Sequence, residues 1–169
     1  MHTTRHTLFI AIGTNLGERL ENISTAITRL AEFDIHVTKT SRVYETAPMY
    51  VEDQPRFLNM AIMAETALDA EDILKALKFL EDDIGRVKSI RNGPRLIDLD
   101  ILYLDDQIID EPHLQVPHVR IEERQFVLQP LLDLNADWLD ARTGKIIKEM
   151  AQALAPDATL QPIGSNTPA

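Results

Sequence analysis

The chain contains no cysteine, which excludes several kinds of chemistry. It can form no disulfide, no thiolate metal site and no cysteine nucleophile. Long hydrophobic runs are also missing, since none approaches the roughly 18 residues that a membrane span requires. Residues 1–7 lack the apolar stretch of a signal peptide. We therefore expect a cytoplasmic protein that does not associate with membranes.

Positive charge is scarce in this sequence. The chain has 17 Lys and Arg against 27 Asp and Glu, a formal net charge of −10 at pH 7. Its overall field repels phosphate, so nucleic acids are not expected as partners. The common phosphate-binding loops are missing as well, because residues 13–17 carry two glycines but neither the Walker lysine nor its spacing. Any phosphate ligand must be held by a local basic cluster.

The length allows one domain, residues 1–169, with a core from about 8 to 135. Apolar periodicity predicts strands at 8–12, 35–46, 57–66 and 96–104. It also predicts a helix from about 20 to 32 and a second helix that Asp69 caps and Gly85 ends. This β-α-β-β-α-β order is typical of a ferredoxin-like α+β fold, an antiparallel sheet with both helices on one face.

The remaining residues, from Asp105 onward, are expected to form a C-terminal extension to this fold. Ile108 and Ile109 predict a hairpin, and residues 121–132 have a helical spacing that Pro130 disturbs. Residues 156–169 are expected to form a loosely ordered tail.

Asp98 and Asp100 occupy alternate positions of an otherwise apolar strand. Alternate residues of a strand share a face, so the two backbones lie roughly 7 Å apart on the same side. Two carboxylates in apolar surroundings need a cation, and Mg²⁺ takes one or two carboxylates together with phosphate oxygens and water. Two such ions could hold both sides of a phosphoryl displacement. The alternative is a solvated strand face, or ion pairs with Arg95 and its neighbours.

A basic loop runs directly into this strand. Arg86, Lys88, Arg91 and Arg95 lie within ten residues, and no acidic residue separates Asp83 from Asp98. Arginine binds phosphate oxygens through two donors, and lysine supplies a point charge. The loop and the carboxylates together suit a metal–nucleoside triphosphate. The alternative is a solvated basic loop that offsets the acidic surface.

A third group of polar residues lies in the extension, where His118 is followed by Arg124 and Phe126. His118 and Arg124 are therefore candidate functional residues. The alternatives are a structural histidine and an arginine that pairs with Glu122 or Glu123.

Several segments carry a resemblance to a known family when they are taken in order. They are Ile-Ala-Ile-Gly-Thr-Asn-Leu-Gly (10–17), Ser-Arg-Val-Tyr-Glu-Thr-Ala-Pro (41–48), Asp-Gln-Pro-Arg-Phe-Leu-Asn (53–59), Gly-Arg-Val (85–87), Gly-Pro-Arg-Leu-Ile-Asp-Leu-Asp-Ile (93–101), Val-Pro-His (116–118) and Arg-Gln-Phe-Val-Leu-Gln-Pro-Leu (124–131). Together they resemble the hydroxymethyldihydropterin pyrophosphokinase family, whose fold is also ferredoxin-like.

The resemblance implies a folate-biosynthesis enzyme that moves the β,γ-pyrophosphoryl group of ATP to 6-hydroxymethyl-7,8-dihydropterin and releases AMP. It implies two Mg²⁺ ions on Asp98 and Asp100, and a catalytic role for these two residues and for Arg95. The implied ATP contacts are Lys78, Glu81, Lys88, Arg91, Arg95, Ile101, His113, Gln115, His118 and Arg124. The implied pterin contacts are Thr46, Ala47, Met49, Phe57, Asn59 and Phe126. The expected partners are ATP and the pterin, with the protein a monomer or a weak homo-oligomer.

The chain departs from the family pattern at several positions. Ala47 replaces a proline, Phe57 a tyrosine and His113 an arginine, and Asn92 stands where a tryptophan is usual. The segment 87–93 is about one residue shorter than in familiar members. Two other function classes remain open: a binding or regulatory module without chemistry, and a metal-independent hydrolase similar to acylphosphatase.

Overall fold

Our computed structural model describes residues 4–46, 56–86 and 96–163. The strands are β1 (His6–Thr14), β2 (Ile35–Thr40), β3 (Tyr44–Thr46), β4 (Phe57–Thr66), β5 (Asp98–Leu104), β6 (Ile109–Glu111), β7 (Leu114–Val116) and β8 (Gln161–Pro162). The α-helices are α1 (Arg19–Leu30), α2 (Ala70–Arg86), α3 (Gln125–Asn135) and α4 (Ile147–Ala153), and short 3₁₀ turns cover Ala31–Phe33 and Ile121–Glu123.

The main sheet has the order β5-β1-β4-β3-β8, and β2 also pairs with β4. All of these pairings are antiparallel. The strands β6 and β7 form a separate hairpin, as expected near Ile109. The prediction of an α+β protein with an antiparallel sheet and packed helices is confirmed.

Side chains alternate between the two faces of the sheet, and each face has its own apolar core. The first core joins the sheet to α1 and α2 and includes Leu8, Ile10, Ile12, Ile23, Leu30, Ile62, Ile73, Leu77, Leu80, Leu99 and Ile101. The second joins the opposite face to α3 and α4 and includes Phe9, Ala61, Tyr103, Leu128, Leu131, Ile147 and Met150. The sheet is therefore covered on both sides.

The predicted N-terminus of α2 agrees with the structure, because the Asp69 carboxylate accepts the Asp72 backbone N–H at 2.9 Å. The predicted end at Gly85 is wrong, since α2 runs through Gly85 to Arg86. Gly85 does not have a positive φ, and a Cβ there would meet no atom within 4 Å, so neither the backbone nor the packing requires glycine at this position.

The strand expected over 35–46 is divided into β2 and β3. At the break, the Ser41 N–H donates to the Ala61 carbonyl and the Ser41 hydroxyl accepts the Ala61 N–H, both at 2.9 Å. The chain therefore bends while it stays attached to β4.

The extension differs from expectation in three ways. The helix α3 continues through Pro130 because Leu128, Leu131 and Leu134 bury one of its faces. The helix α4 was not predicted. Within the expected loose tail, Gln161 and Pro162 instead form β8, which pairs with β3, and residues 164–169 lie outside the described residues. Within the described ranges, no helix is both long and apolar enough to cross a membrane.

Candidate active site

One end of the sheet face that α3 and α4 cover is left open and forms a cavity of about 530 Å³. Its floor comes from β1, β4 and β5, and its walls come from the start of α3 and from residues 154–157. This volume lies in the range of small-molecule binding sites, roughly 300–1,000 Å³. The position follows from the sheet pattern, since polar and small residues replace apolar ones at this end of the face.

A row of paired residues crosses the floor of the cavity. Asp98 lies opposite Gly13, which lies opposite Asn59, which in turn lies opposite Tyr44. Neighbouring strands are about 4.8 Å apart, so the backbones of Asp98 and Asn59 are about 10 Å apart. A Cβ on Gly13 would come within 3.1 Å of Asn59 Oδ1. The glycine thus keeps open the space between the carboxylate and the amide.

Asp98 and Asp100 both line the cavity, the first half-buried and the second exposed. Between them, Leu99 points to the opposite face and donates its backbone N–H to Glu81 Oε2 at 2.7 Å. Glu81 is itself buried and contacts Lys78 Nζ at 3.3 Å through its other oxygen. These contacts attach α2 to β5 at the segment that presents the two carboxylates.

The carboxylate pair fits Mg²⁺ better than a cation that needs many protein ligands. Among the residues that the structure describes, no group of three or more His, Cys, Asp or Glu could hold a metal ion. Mg²⁺ is commonly bound through only one or two carboxylates, with water and substrate phosphates as the remaining ligands. Asp98 and Asp100 supply that number on one strand face.

His118 stands beside β5, with its backbone N–H bonded to the Leu102 carbonyl at 3.1 Å. Burial lowers the pKa of His118, the nearby Asp100 charge opposes this, and the charges of Arg124 and Arg120 lower the pKa further. The ring Nδ1 accepts the Arg120 backbone N–H at 3.2 Å. A neutral ring therefore carries its proton on Nε2, where it can donate to an anionic oxygen.

Arg124 and Phe126 line the same cavity, and their side chains are in contact. The guanidinium carbon of Arg124 lies 5.4 Å from the centre of the Phe126 ring, a cation–π geometry. A cation and an aromatic surface therefore adjoin in this part of the cavity.

Thr46 of β3 and Phe57 and Asn59 of β4 also line the cavity. Asn59 Nδ2 donates to Thr46 Oγ1 at 3.0 Å. A carboxamide has two N–H donors and a carbonyl acceptor, so this bond leaves hydrogen-bonding capacity for a ligand. The two aromatic rings of Phe57 and Phe126 and the Asn59 amide line one cavity, and this combination suits a flat heterocycle that has polar edges.

The predicted site residues fall into three groups. Those that line the cavity are Thr46, Phe57, Asn59, Asp98, Asp100, His118, Arg124 and Phe126. Those that lie elsewhere in the described structure are Lys78, Glu81, Ile101, His113 and Gln115. Those that lie outside the described residues are Ala47, Met49, Lys88, Arg91 and Arg95.

The second group has identifiable surroundings. Ile101 belongs to the core on the other sheet face. His113 Nε2 contacts Glu71 Oε1 at 2.7 Å, which brings the β6–β7 turn to the start of α2. Gln115 is exposed on β7. An ATP that contacts these residues must extend beyond the cavity toward α2 and the hairpin.

Sequence reasoning did not identify several residues of the cavity. Ala11 and Gly13 of the floor and Leu154, Ala155 and Asp157 of one wall were not predicted. The two floor residues alternate along β1, so their small size was a usable signal. The wall residues follow a short helix and show no pattern that predicts their position.

Comparison with known proteins identifies relatives over most of the chain. Residues 9–136 match the family model described as 7,8-dihydro-6-hydroxymethylpterin-pyrophosphokinase (HPPK). The 2-amino-4-hydroxy-6-hydroxymethyldihydropteridine pyrophosphokinase of Aquifex aeolicus is 36% identical over 156 residues, which cover 92% of this chain and 94% of the relative. The protein of the same name from Bacillus subtilis is 41% identical over 127 residues, 75% of this chain and 76% of the relative.

Other relatives are longer than this chain. The mitochondrial folate synthesis bifunctional protein of Pisum sativum is 46% identical over 143 residues, which are 85% of this chain but 28% of the relative. This chain therefore spans little more than a quarter of that protein. The crystal structure of wild-type Plasmodium falciparum HPPK-DHPS with pteroate superposes with a TM-score of 0.71 at 16% identity, covering 90% of this chain and 43% of that one. This similarity shows a shared fold.

Proposed function

Since the chain belongs to the 7,8-dihydro-6-hydroxymethylpterin-pyrophosphokinase family, we propose that it transfers the β,γ-pyrophosphoryl group of ATP to 6-hydroxymethyl-7,8-dihydropterin. The products are the pterin diphosphate and AMP. The observation that carries this proposal is that Asp98, Asp100 and Asn59 lie on one sheet face around a single cavity. A metal–phosphate site and a heterocycle site at this separation match the two substrates.

The pterin subsite consists of Thr46, Phe57, Asn59 and Phe126. The two rings flank the flat bicycle, and the Asn59 carboxamide bonds its amide-like edge. Thr46 holds the carboxamide in place through the 3.0 Å bond to its hydroxyl. The hydroxymethyl group then extends over Gly13 toward Asp98, along the row of paired residues.

The triphosphate would lie on the side of Asp98 and Asp100, and these two carboxylates would hold two Mg²⁺ ions. Bound there, Mg²⁺ would supply neutralisation of the phosphate charge. His118 donates its Nε2–H and Arg124 its guanidinium N–H groups to phosphate oxygens. Such transfers depend mainly on positioning and charge neutralisation, and these residues contribute both.

Glu81 stabilises the site from the opposite face of the sheet. Its bond to the Leu99 N–H fixes the strand segment between the two carboxylates, and Lys78 offsets its charge. The ATP contacts proposed for Lys78, Glu81, Ile101, His113 and Gln115 belong to the nucleoside end, beyond the cavity. Arg95, Lys88 and Arg91 are proposed to bind phosphate on the basis of the family resemblance.

The strand order β5-β1-β4-β2 and the helices α1 and α2 on one face support a ferredoxin-like assignment, with the β6–β7 hairpin, α3 and α4 as an extension. We propose that residues 1–169 act as one catalytic domain. A cytoplasmic location is proposed from composition alone, and the Pisum sativum relative is described as mitochondrial.

Incubation of the protein with ATP, Mg²⁺ and 6-hydroxymethyl-7,8-dihydropterin, followed by chromatography of the nucleotides, tests this function. We expect AMP and pterin diphosphate in equal amounts, and no product after EDTA treatment. AMP formation that does not depend on the pterin would indicate hydrolysis, and activity in EDTA would indicate a metal-independent hydrolase. Either result, or the absence of AMP, contradicts the proposal.

A further inference from the structure

One wall of the cavity comes from the C-terminal strap, which we define as residues 154–163. Leu154, Ala155 and Asp157 of this strap line the cavity together with Phe126 and Thr46. The match to the family model ends at residue 136, so the strap lies beyond the region by which the family is recognised.

The beginning of the strap is attached to α3 next to Phe126. Gln125 is buried, with 7% of its surface exposed. Its Nε2 lies 3.3, 3.1 and 3.2 Å from the carbonyl oxygens of Ala151, Leu154 and Ala155. Gln129 in turn donates from Nε2 to Gln125 Oε1 at 3.0 Å. Because a buried amide without partners is costly, these bonds hold the strap at a fixed distance from α3.

The end of the strap is attached to β3 next to Thr46. A turn at Asp157, whose Oδ1 accepts the Thr159 N–H at 2.9 Å, precedes β8. In β8, Gln161 lies opposite Glu45, the residue before Thr46. The Ile163 N–H donates to the Val43 carbonyl at 2.8 Å. The strap therefore has both ends attached beside residues that frame the cavity.

We infer that the strap sets the size limit of the heterocycle subsite, with Leu154 and Ala155 as its specificity-determining residues. Since the strap is attached at both ends, these side chains cannot withdraw without breaking the Gln125 bonds or the β8 pairing. The subsite accepts a bicyclic heterocycle whose edge toward the strap carries no alkyl group, and it excludes one with added bulk there. This inference rests on the proposed function, because it takes the pterin as the occupant.

Filling the subsite from the strap tests the inference. Ala155→Leu adds bulk at an exposed position that lines the cavity, and Ala153→Leu adds the same bulk at an exposed position that does not. Calorimetric titration of 6-hydroxymethyl-7,8-dihydropterin should show at least about tenfold weaker binding to Ala155→Leu, a free-energy change near 1.4 kcal/mol. Titration of MgATP should be unchanged in both variants, and Ala153→Leu should bind pterin like the parent protein.

Enlarging the subsite gives a second and independent readout. The quantity to measure is the ratio of the affinity for a ring-methylated pterin to the affinity for the unmethylated pterin. This ratio should be higher in Leu154→Ala than in the parent protein. Leu160→Ala removes an equal volume from a strap residue that does not line the cavity, and it should leave the ratio unchanged. A loss of fold stability alone does not change this ratio.

The possible results separate the two proposals. In the first case the parent protein binds pterin, Ala155→Leu binds it with the same affinity, and Leu154→Ala shows the same selectivity as the parent. These results overturn the role of the strap and leave the proposed function standing. A parent protein that binds no pterin overturns both proposals.

Discussion

The sheet face that meets α1 and α2 differs from the face that meets α3 and α4. On the first face, apolar side chains continue along β1 through Leu8, Ile10 and Ile12, each at most 1% exposed. On the second face, β1 begins with the buried Phe9 and ends with Gly13 at the floor of the cavity. The same strand thus stabilises the fold along one whole face and lines the cavity on half of the other.

The second face is itself divided. At its closed end, Phe9 lies 4.7 Å from Trp138 and 5.7 Å from Tyr103, measured between ring centres. The Tyr103 hydroxyl donates to Asp140 at 2.7 Å, and burial raises the pKa of Tyr103, so the phenol remains a donor. At the open end, small residues and carboxylates replace these rings. The packed end holds the strands in register for the open end.

Removing a carboxylate should have the largest effect on activity and little on the fold. Asp98→Ala or Asp100→Ala should lower turnover by about 100-fold or more, as loss of a preorganised charge at a transition state does. The melting temperature of Asp100→Ala should stay the same or rise, since like-charge repulsion between the two residues is relieved. The measurements are AMP release at saturating Mg²⁺ and thermal unfolding. Near-parent turnover in either variant would refute the carboxylate site.

Substitution of Leu99, which lies between Asp98 and Asp100, should affect stability and leave activity largely unchanged. Leu99 is 1% exposed on the other face, so Leu99→Ala should lower the free energy of unfolding by roughly 2–5 kcal/mol. Its backbone bond to Glu81 remains, so the folded variant should retain most of its turnover. Urea denaturation and activity at low temperature measure these two effects. If Leu99→Ala were as stable as the parent, the contrast between the faces would fail.

Substitution of Asn59 should weaken the binding of pterin and leave the binding of ATP unchanged. Asn59→Ala removes the carboxamide that Thr46 positions, and it leaves polar groups of the pterin unpaired at a cost of roughly 1–3 kcal/mol in binding. Calorimetry with each substrate separates the two sites. Unchanged pterin affinity would move the heterocycle subsite elsewhere in the molecule.

Substitution of Gly13 should also weaken pterin binding, by a smaller amount than substitution of Asn59. In Gly13→Ala the new Cβ would lie 3.1 Å from Asn59 Oδ1, so the carboxamide must shift by a few tenths of an ångström. We expect pterin affinity to fall by up to about tenfold, near 1.4 kcal/mol. The control is Gly85→Ala, which meets nothing within 4 Å and lies in a helix. That variant should bind pterin normally, and equal binding by both variants would argue against a constraint at Gly13.

Tyr44, at the far end of the row, should affect stability only. Its hydroxyl donates to Asp133 at 2.8 Å, and Tyr44→Phe should cost about 0.5–1.5 kcal/mol of stability. Burial, and then the bond to Asp133, raises the pKa of Tyr44 from 10.0 to about 12. The folded state therefore holds this proton more tightly, and stability is lost as the pH rises from 10 to 12. The free energy of unfolding, measured by denaturation at several pH values over that range, should fall less steeply with pH for Tyr44→Phe than for the parent. Equal slopes would contradict the raised pKa of Tyr44.

Local patterns in the sequence were enough to predict the main strands and the shared face of Asp98 and Asp100. The alternation that brings Asp98 and Asp100 to one face is a property of any strand, and the apolar runs identified β4 without error in its bounds. The resemblance grouped Asn59 and Phe126, which lie far apart in the chain and line the same cavity in the structure.

What could not be predicted depends on packing between distant segments. The strand β8 exists because Gln161 meets Glu45, and no local pattern in residues 156–163 indicates that partner. The helix α3 passes Pro130 because burial of one helix face outweighs the loss of one backbone hydrogen bond. The partner of Glu81 is a backbone N–H on β5, which only the packing of α2 against the sheet determines.

A crystal structure of the protein with Mg²⁺, a non-hydrolysable ATP analogue and the hydroxymethyl pterin tests the central claim most directly. We predict metal ions on Asp98 and Asp100, and the pterin ring between Phe57 and Phe126 with its edge on Asn59. The hydroxymethyl oxygen should lie over Gly13 and point toward the β-phosphorus. A pterin bound outside this cavity, or metal ions without contact to either carboxylate, would contradict the account.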